Sequence, residues 1–243
     1  MSDGATKTKR PPVEPAIVKP VDAAGLVLIR QGRGEPEILL GRRHGKSGFL
    51  PDIYVAPGGR VDAADHHPSG FPERLHPIVT AELASGGSRR PPLAFPRAAL
   101  RETFEETGLL IGKPGKGDPP GNARQAIWQA YRDHRLAPDF AGIDFLCRAI
   151  TPVYSRRRYN TRFFLADGSL SNGEIRSNGE LEDLAWRRES ELRHLNIVDV
   201  TKYVLAEALR RWRGRHQIGS QSPRLLNYRN DIMLLSRHRW RMS

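Results

Sequence analysis

One stretch of the sequence decides the fold: residues 101–109 read RETFEETGL. The pattern predicts a helix at Pro96–Thr107 that ends at a glycine, the residue most often found just past a helix C-terminus. On that helix Glu102, Glu105 and Glu106 lie at positions i, i+3 and i+4, so the three carboxylates share one face. The sequence therefore predicts an acidic face on a helix that packs into the core through its other side.

Carboxylates at this spacing repel one another and destabilise the helix unless a cation neutralises them. Hard divalent cations are bound by carboxylate oxygens, and Mg²⁺ commonly bridges protein carboxylates to phosphate oxygens. The acidic face is therefore a candidate site for Mg²⁺, with Mn²⁺ as a second possibility. The alternative interpretation is a solvated acidic face whose charges are paired with Arg97 or Arg101.

Elsewhere, hydrophobic runs and turn residues predict an alternation of strands and helices. Strands are expected at Ala23–Ile29, Glu37–Gly41, Ile53–Ala56, Asp144–Thr151, Tyr159–Ala166 and Glu182–Arg187, and helices near Glu73–Leu83, from Asn122 to about Arg135 and at Asp199–Trp212.

Residues 101–109 resemble the second half of the Nudix box, the pattern G-x5-E-x7-R-E-U-x-E-E-x-G-U, in which U is a bulky apolar residue. Thr103 stands at the first U. Gly59, at the end of a proline-glycine-glycine turn after a predicted strand, matches the opening glycine. The matching residues of the second half are Arg101, Glu102, Glu105, Glu106, Gly108 and Leu109.

The spacing between the two halves departs from the pattern. Gly59 and Arg101 are 42 positions apart, far more than the pattern has, so the box carries an insertion. The carboxylate expected after the glycine falls at Asp65, where the pattern has glutamate. An insertion after Asp65, at about 66–92, is the simplest interpretation. Glu73 or Glu82 within the insertion are alternatives for the missing carboxylate.

An interrupted box is similar to that of one Nudix branch, which includes the peroxisomal coenzyme A diphosphatases. The segments that carry this likeness are 48–65, 159–165 and 179–186, and the resemblance as a whole covers about residues 20–212. It implies a metal-dependent hydrolase that cleaves the diphosphate bond of a nucleoside diphosphate linked to another moiety. Coenzyme A or its thioesters are the expected substrates. The alternatives are NADH, ADP-ribose or a nucleotide sugar, or a non-catalytic nucleotide sensor.

The resemblance also implies an α/β (α+β) fold, an α/β/α sandwich with a mixed β-sheet and an inserted segment within the Nudix box. The predicted strands on both sides of the acidic helix suit this architecture. The chain is then divided into a flexible basic tail at 1–19, a Nudix domain at 20–213 and a basic C-terminal extension at 214–243.

The resemblance assigns chemistry to the residues of the box. Glu102, Glu105 and Glu106 would be metal ligands, together with the carbonyl oxygen of Gly59. Arg101 would orient the carboxylates through charge-assisted pairs. The cations would polarise the attacked phosphorus and lower the pKa of a bound water. One carboxylate of the box is a candidate general base, and Glu180 or Glu182 are candidates from a downstream loop.

Two arginine clusters are candidate phosphate-binding groups, because the guanidinium fork suits phosphate oxygens. Arg42 and Arg43 follow a predicted strand, and Arg157 and Arg158 precede one. Either cluster could hold the 3′-phosphate of coenzyme A or another nucleotide phosphate. The alternative is a pair of solvated basic loops.

Composition limits the class of protein and its partners. The 243 residues carry a formal net charge of +12, which favours an anionic partner. No RNA-binding motif accompanies the charge, so a small-molecule diphosphate is expected and specific nucleic-acid binding is not. No stretch reads as a membrane span or secretory signal, and a single cysteine fits a cytoplasmic protein. A homodimer is compatible with these features.

Overall fold

The computed structural model describes residues 18–116, 125–214, 217–229 and 232–237. No helix among these residues is long and apolar enough to cross a membrane. The strands are β1 (Val21–Gln31), β2 (Pro36–Arg43), β3 (Tyr54–Val55), β4 (Gly58–Arg60), β5 (Leu110–Pro114), β6 (Leu136–Pro138), β7 (Asp144–Ile150), β8 (Tyr159–Asp167), β9 (Ser171–Asn172), β10 (Leu181–Arg188), β11 (Arg224–Arg229) and β12 (Ile232–Arg237). The helices are α1 (Pro77–Ala84), α2 (Ala94–Thr107), α3 (Ala126–Asp133) and α4 (Asp199–Arg213).

The main sheet is mixed and runs in the order β10-β2-β1-β8-β7-β11-β12, with β3 added to β2 and β4 to β1. Strand β1 pairs in parallel with β8, and β7 pairs in parallel with β11. The other pairs of this sheet are antiparallel. A smaller sheet contains β5, β6 and β9.

The two faces of β1 pack against different helices, because successive side chains of a strand point to opposite sides. Leu26 and Leu28 belong to a core cluster with Phe95 of α2. Val27 and Ile29 belong to a second cluster that includes residues of α4, Val204, Leu205, Ala208 and Leu209. Helices therefore cover both sides of the mixed sheet, and the expected α/β/α sandwich is confirmed.

Helix α2 begins two residues earlier than predicted and ends at Thr107, as the sequence indicated. Gly108 caps it with φ of 75°, a left-handed conformation that glycine adopts without steric cost. The predicted start of the next helix, Asn122, lies outside the described residues. Within them, α3 begins at Ala126 and ends before the predicted Arg135.

Residues 66–92 are an excursion from the sandwich that packs back onto it. Phe71, Val79 and Leu83 are buried in the same cluster as α2 and β1. The excursion contains α1, which lies slightly C-terminal to the helix expected near Glu73–Leu83. This segment therefore completes one core of the domain.

Sequence patterning missed the two strands at the C-terminal end of the described chain. Strand β11 pairs in parallel with β7, with Leu225 opposite Arg148, and Leu226 is fully buried. Such a long-range parallel pairing leaves only a weak local pattern in a short basic strand. Strands β11 and β12 thus belong to the main sheet, although they lie in the segment predicted to be a basic C-terminal extension.

Candidate active site

The Gly58-Gly59 turn brings the acidic face of α2 against the edge of β1. Strand β4 pairs with β1, which sets Gly59 opposite Ala24. A Cβ atom on Gly59 would collide with the carboxylate of Glu102, so only glycine permits this approach. The Gly58 amide donates a hydrogen bond to Oε2 of Glu106 at 2.9 Å. The first half of the box thus positions the carboxylates of the second half.

Arg101 is the centre of the carboxylate cluster. Its guanidinium donates to both oxygens of Asp65 at 3.0 Å, to Glu102 Oε1 at 2.9 Å and to Glu105 Oε2 at 2.8 Å. It also donates to the carbonyl oxygen of Arg60 at 2.9 Å, and its side chain is 6% exposed. Burial alone would lower the pKa of Arg101, but the bonds to Asp65 and the nearby carboxylates raise it above its ordinary value. Arg101 therefore acts as a permanent cation that spaces the surrounding carboxylates.

Asp65 lies in the position that the interrupted box predicts for its first carboxylate. It is fully buried, and besides Arg101 it accepts a hydrogen bond from Nε2 of Gln125 at 2.9 Å. The indole Nε1 of Trp128 in turn donates to Oε1 of Gln125 at 2.6 Å. Sequence reasoning missed Gln125, because a lone glutamine before a helix carries no recognisable signal. A chain of hydrogen bonds thus connects α3 to Arg101.

The two alternative carboxylates of the insertion have other partners. Glu73 accepts a hydrogen bond from Nε of Arg97 at 2.7 Å, so it ties the insertion to α2. Glu82 is buried, and its Oε1 accepts from the Ser222 hydroxyl at 3.3 Å. The guanidinium of Arg101 is instead bonded to Asp65, Glu102 and Glu105.

Two carboxyl groups of α2 carry raised pKa values. Burial raises the pKa of Glu102 to about 7, against the opposing effect of Arg101, and the charges of Glu105 and Glu180 add to the rise. Burial also raises the pKa of Glu106 to about 8, despite the hydrogen bond from Gly58. Burial is therefore the main cause of both shifts, and the neighbouring carboxylates add to it.

Of the two downstream candidates for a general base, Glu180 is the one close to the α2 carboxylates. Its charge raises the pKa of both Glu102 and Glu106. Glu182 instead pairs with Arg42 at 2.7 Å and lies 3.5 Å from His44. The turn before β10 therefore directs one of the two glutamates toward the carboxylate cluster.

The four arginines expected at the substrate occupy different environments. Arg42 is paired with Asp52 and Glu182, at 2.8 and 2.7 Å. Arg158 is buried and donates to the carbonyl oxygens of Thr151 and Val18, at 3.1 and 2.8 Å.

Arg157 and Arg43 form no ion pair or side-chain hydrogen bond with any residue that the structure describes. The guanidinium of Arg157 lies beside the backbone of Gly48. Arg43 lies in the wall of the main cavity, near the ring of Phe49, and its Nε is buried with no partner among the described residues. Arg43 is therefore the member of the four that faces the carboxylate site.

The cavity beside the cluster has a volume of about 640 Å³. One end is acidic, lined by Glu102, Glu105, Glu106 and Glu180. The other end lies between the sheet and α4 and is mainly apolar and aromatic, lined by Ile53, Val55, Ile150, Tyr154, Tyr159, Phe163, Val200, Val204, Leu205 and Tyr228. A ligand with one highly charged part and one apolar part fits this distribution.

The carboxylates are not preassembled as a metal cage. Within the described residues, no three His, Cys, Asp or Glu side chains are gathered as ligands for a metal ion. Arg101 holds one oxygen each of Glu102 and Glu105. The donor set still fits a hard divalent cation, since Glu102, Glu105, Glu106 and Glu180 supply carboxylate oxygens to one part of the cavity lining.

The chain is similar to known proteins in sequence and in structure. No protein-family model matches the chain. The acyl-coenzyme A diphosphatase NUDT19 of Xenopus laevis is 25% identical over 197 residues, 62% of this chain and 52% of that protein. Its counterpart in Gallus gallus is 36% identical over 110 residues, 35% of this chain and 29% of that protein. The chain thus spans about half the length of the Xenopus relative.

A crystal structure of a Nudix hydrolase from Alicyclobacillus acidocaldarius matches with a TM-score of 0.60 and 27% identity, over 79% of this chain and 93% of that one. The chain therefore has the Nudix fold, and the resemblance to Nudix hydrolases of the acyl-coenzyme A diphosphatase type is confirmed.

Proposed function

We propose that this Nudix-fold chain is a divalent-metal-dependent hydrolase of diphosphate bonds, and that its substrate is coenzyme A or a coenzyme A thioester. The observation that carries the proposal is the acidic part of the cavity lining, formed by Glu102, Glu105, Glu106 and Glu180, in which Arg101 is bonded to Glu102 and Glu105. A diphosphate would add further negative charge there. Protein cations alone do not balance such a site, whereas divalent cations do.

Glu102, Glu105 and Glu106 are the side chains that would hold the metal, together with the Gly59 carbonyl oxygen. Bound there, Mg²⁺ or Mn²⁺ would neutralise the diphosphate, polarise phosphorus and lower the pKa of water. The contribution of Arg101 is positional. Its bonds to Asp65 anchor it, and its bonds to Glu102 and Glu105 hold two carboxylates at a fixed spacing before any ligand arrives.

Glu180 is the proposed general base. It is exposed on the turn before β10, lines the cavity and lies close enough to Glu102 and Glu106 to raise their pKa values. A solvent-accessible carboxylate in this position could accept a proton from water. Glu182 is a weaker candidate, because its carboxylate is already paired with Arg42.

The apolar end of the cavity favours coenzyme A thioesters over smaller diphosphates. Tyr154 and Phe163 from the sheet side, and Val200 and Val204 from α4, line it. The acyl chain of a coenzyme A thioester would bury apolar surface there, at roughly 25 cal/mol per Å². The sugar of ADP-ribose or of a nucleotide sugar would leave hydroxyl groups against these side chains, which is unfavourable unless they find hydrogen bonds.

A hydrolysis panel tests the proposal. With Mg²⁺ present, coenzyme A, an acyl-coenzyme A, NADH, ADP-ribose and a nucleotide sugar are compared by kcat/KM. We expect the acyl-coenzyme A to be cleaved fastest, yielding 3′,5′-ADP and an acyl 4′-phosphopantetheine. Faster cleavage of NADH or ADP-ribose would overturn the substrate assignment alone. Binding without hydrolysis of any member would overturn the catalytic proposal and favour a nucleotide sensor.

A further inference from the structure

The floor of the apolar end of the cavity is one face of the main sheet. Strand pairing places Ala23, Thr161 and Ala149 side by side across β1, β8 and β7, and all three line the cavity. The next strand in the sheet is β11, whose Leu226 is paired with Ala149. Because alternate residues of a strand share a face, Tyr228 lies on the same face as Leu226, one row further along. Tyr228 also lines the cavity.

A second row of residues crosses the same floor at the level of Tyr228. The Thr151 amide donates to the carbonyl oxygen of Tyr159 at 2.9 Å, which aligns these two residues at neighbouring ends of β7 and β8. Since β11 runs parallel to β7 with Leu226 beside Ala149, Tyr228 comes beside Thr151. Tyr159, Thr151 and Tyr228 therefore follow one another across the cavity floor, and all three line it.

Tyr228 lies near the first turn of α4, which covers the floor. Its cross-strand neighbour on β12 is Met233, which packs against the core cluster that contains the buried residues of α4. Burial raises the pKa of the Tyr228 phenol, and the charge of Asp199, in the first turn of α4, adds to the rise. Val200 lines the cavity from the same turn. Tyr228 therefore fills the space between the sheet and the start of α4.

Tyr228 and the carboxylate cluster lie at opposite ends of this floor. Gly59, whose backbone abuts the carboxylate of Glu102, is on β4, and β4 pairs with the edge of β1 that faces away from β8. Four strand spacings therefore separate β4 from β11, about 19 Å at the usual distance between strands. The side chains of Thr161 and Ala149 between them are small, whereas that of Tyr228 is large. A ligand anchored at Glu102 and extended along the floor thus meets the Tyr228 ring at the far end.

We propose that Tyr228 is a specificity-determining residue, which limits the length of the acyl chain that the cavity accepts. This assignment rests on the proposed function, because it places the acyl group of a coenzyme A thioester at one end of the same cavity. The pantetheine arm takes up the first part of the floor, so the acyl chain reaches Tyr228 after a limited number of carbons. Each methylene buried before that point is favourable, whereas a longer chain must displace the ring or bend out into water. The segment predicted as a basic C-terminal extension thereby contributes to the site.

Hydrolysis of thioesters of increasing chain length tests the proposal. Acetyl-, butanoyl-, hexanoyl-, octanoyl-, decanoyl- and dodecanoyl-coenzyme A are compared by kcat/KM with Mg²⁺ present. In wild type, kcat/KM should rise by roughly threefold to fourfold for each added methylene and then fall beyond one chain length. Tyr228→Ala should move this maximum to longer chains, Tyr228→Trp should move it to shorter ones, and Tyr228→Phe should leave it in place. Leu235→Ala is the matched control, because Leu235 is exposed on the same hairpin.

Binding without metal separates failure of the length limit from failure of the proposed reaction. Calorimetry on the metal-free protein compares the same thioesters in wild type, Tyr228→Ala and Tyr228→Trp. If the chain length of highest affinity shifts in these variants but no thioester is hydrolysed, the length limit stands and the proposed reaction is overturned. If thioesters are hydrolysed but neither variant moves the preferred chain length, the length limit is overturned and the reaction stands. An affinity that does not depend on chain length would also overturn the length limit.

Discussion

Two of the clusters in which a buried arginine contacts a carboxylate have opposite surplus charge. At the candidate site, Arg101 faces Asp65, Glu102 and Glu105, with Glu106 and Glu180 nearby. At the other cluster, Asp22 of β1 is contacted by both Arg162 and Arg90, at 3.0 and 3.3 Å. One cluster has too few cations for its carboxylates, and the other has too few carboxylates for its cations.

The cation-rich cluster is closed by protein atoms. Arg162 is fully buried, stacks over the ring of Phe95 at 3.7 Å, and burial lowers its pKa to about 10 despite the charge of Asp22. Arg148 donates to Asn160 Oδ1 at 2.6 Å and to the carbonyl oxygen of Gly86 at 2.8 Å.

The bond from Arg148 to Gly86 attaches the end of the insertion to the sheet. Asp65, at the beginning of the insertion, is bonded to Arg101. Buried charge by itself therefore does not identify a ligand-binding site. The carboxylate-rich cluster opens onto a cavity, and only there would an external ion or substrate complete the charge balance.

The largest expected effect is on the free energy of unfolding, to which the two clusters should contribute unequally. Arg101→Met leaves the Asp65 carboxylate fully buried without a cation, with hydrogen bonds from Gln125 and from the Asp62 amide, and should lower the free energy of unfolding by roughly 3–5 kcal/mol. Arg162→Met leaves Asp22 with Arg90, Asn160 and Ser88, so a loss of about 1–2 kcal/mol is expected. Urea denaturation of both variants measures the two losses. Equal losses would contradict the distinction between the clusters.

The next effect concerns catalysis. Glu106→Gln keeps the shape of the side chain and removes one negative charge from the cluster. We expect turnover with Mg²⁺ to fall by at least about 100-fold, the scale of one preorganised electrostatic contribution, while the circular dichroism spectrum is retained. Glu174→Gln, at an exposed glutamate paired with Arg176, is the control. Turnover of Glu106→Gln within a few-fold of the control would contradict the role of Glu106.

A third effect should appear in the pH dependence of stability without metal. The folded-state pKa values of Glu102 and Glu106, about 7 and about 8, exceed the ordinary value of 4.5. Folding therefore favours their protonated forms, and the resulting stability is present below about pH 4.5 and is lost as the pH rises through 7 and 8. The free energy of unfolding of the metal-free protein should therefore fall across that window.

Urea unfolding between pH 5 and pH 8.5 measures this loss. Glu106→Gln should flatten the decline, because it removes the group with the highest raised pKa, and added Mg²⁺ should oppose the decline by binding the ionised carboxylates. If the free energy of unfolding of the metal-free wild type instead rises between pH 5 and pH 8.5, the raised pKa values of Glu102 and Glu106 are contradicted.

The smallest expected effect tests the hydrogen bonds behind Arg101. Gln125→Leu removes the amide that donates to Asp65 and should cost about 1 kcal/mol of stability. Because Asp65 keeps both bonds to Arg101, turnover should fall only about threefold to tenfold, with KM nearly unchanged. Gln129→Leu, on the exposed face of the same helix, is the matched control. Identical kinetics in the two variants would show that Gln125 does not position Arg101.

The helices and strands that have a local pattern could be predicted from the sequence alone. Helix α2 could be predicted because its apolar spacing, its three glutamates and Gly108 all lie within one stretch. The assignment of Asp65 also followed from spacing, once Gly59 and Arg101 were matched to the box, and the structure pairs Asp65 with Arg101 as that match requires. Strands β7, β8 and β10 were located within two residues of their observed bounds.

The tertiary structure decided the properties that depend on what a residue meets across the fold. Arg42 and Arg43 are neighbours in sequence, yet Arg42 is paired with Asp52 and Glu182, whereas Arg43 faces the cavity. Strand alternation sends adjacent side chains to opposite faces, so no local pattern shows which arginine stays unpaired. Gln125 and strand β11 were missed for the same reason, because both owe their roles to partners far away in the chain. The sequence by itself determined which charges the chain carries, and packing decided which of them remain free to bind a ligand.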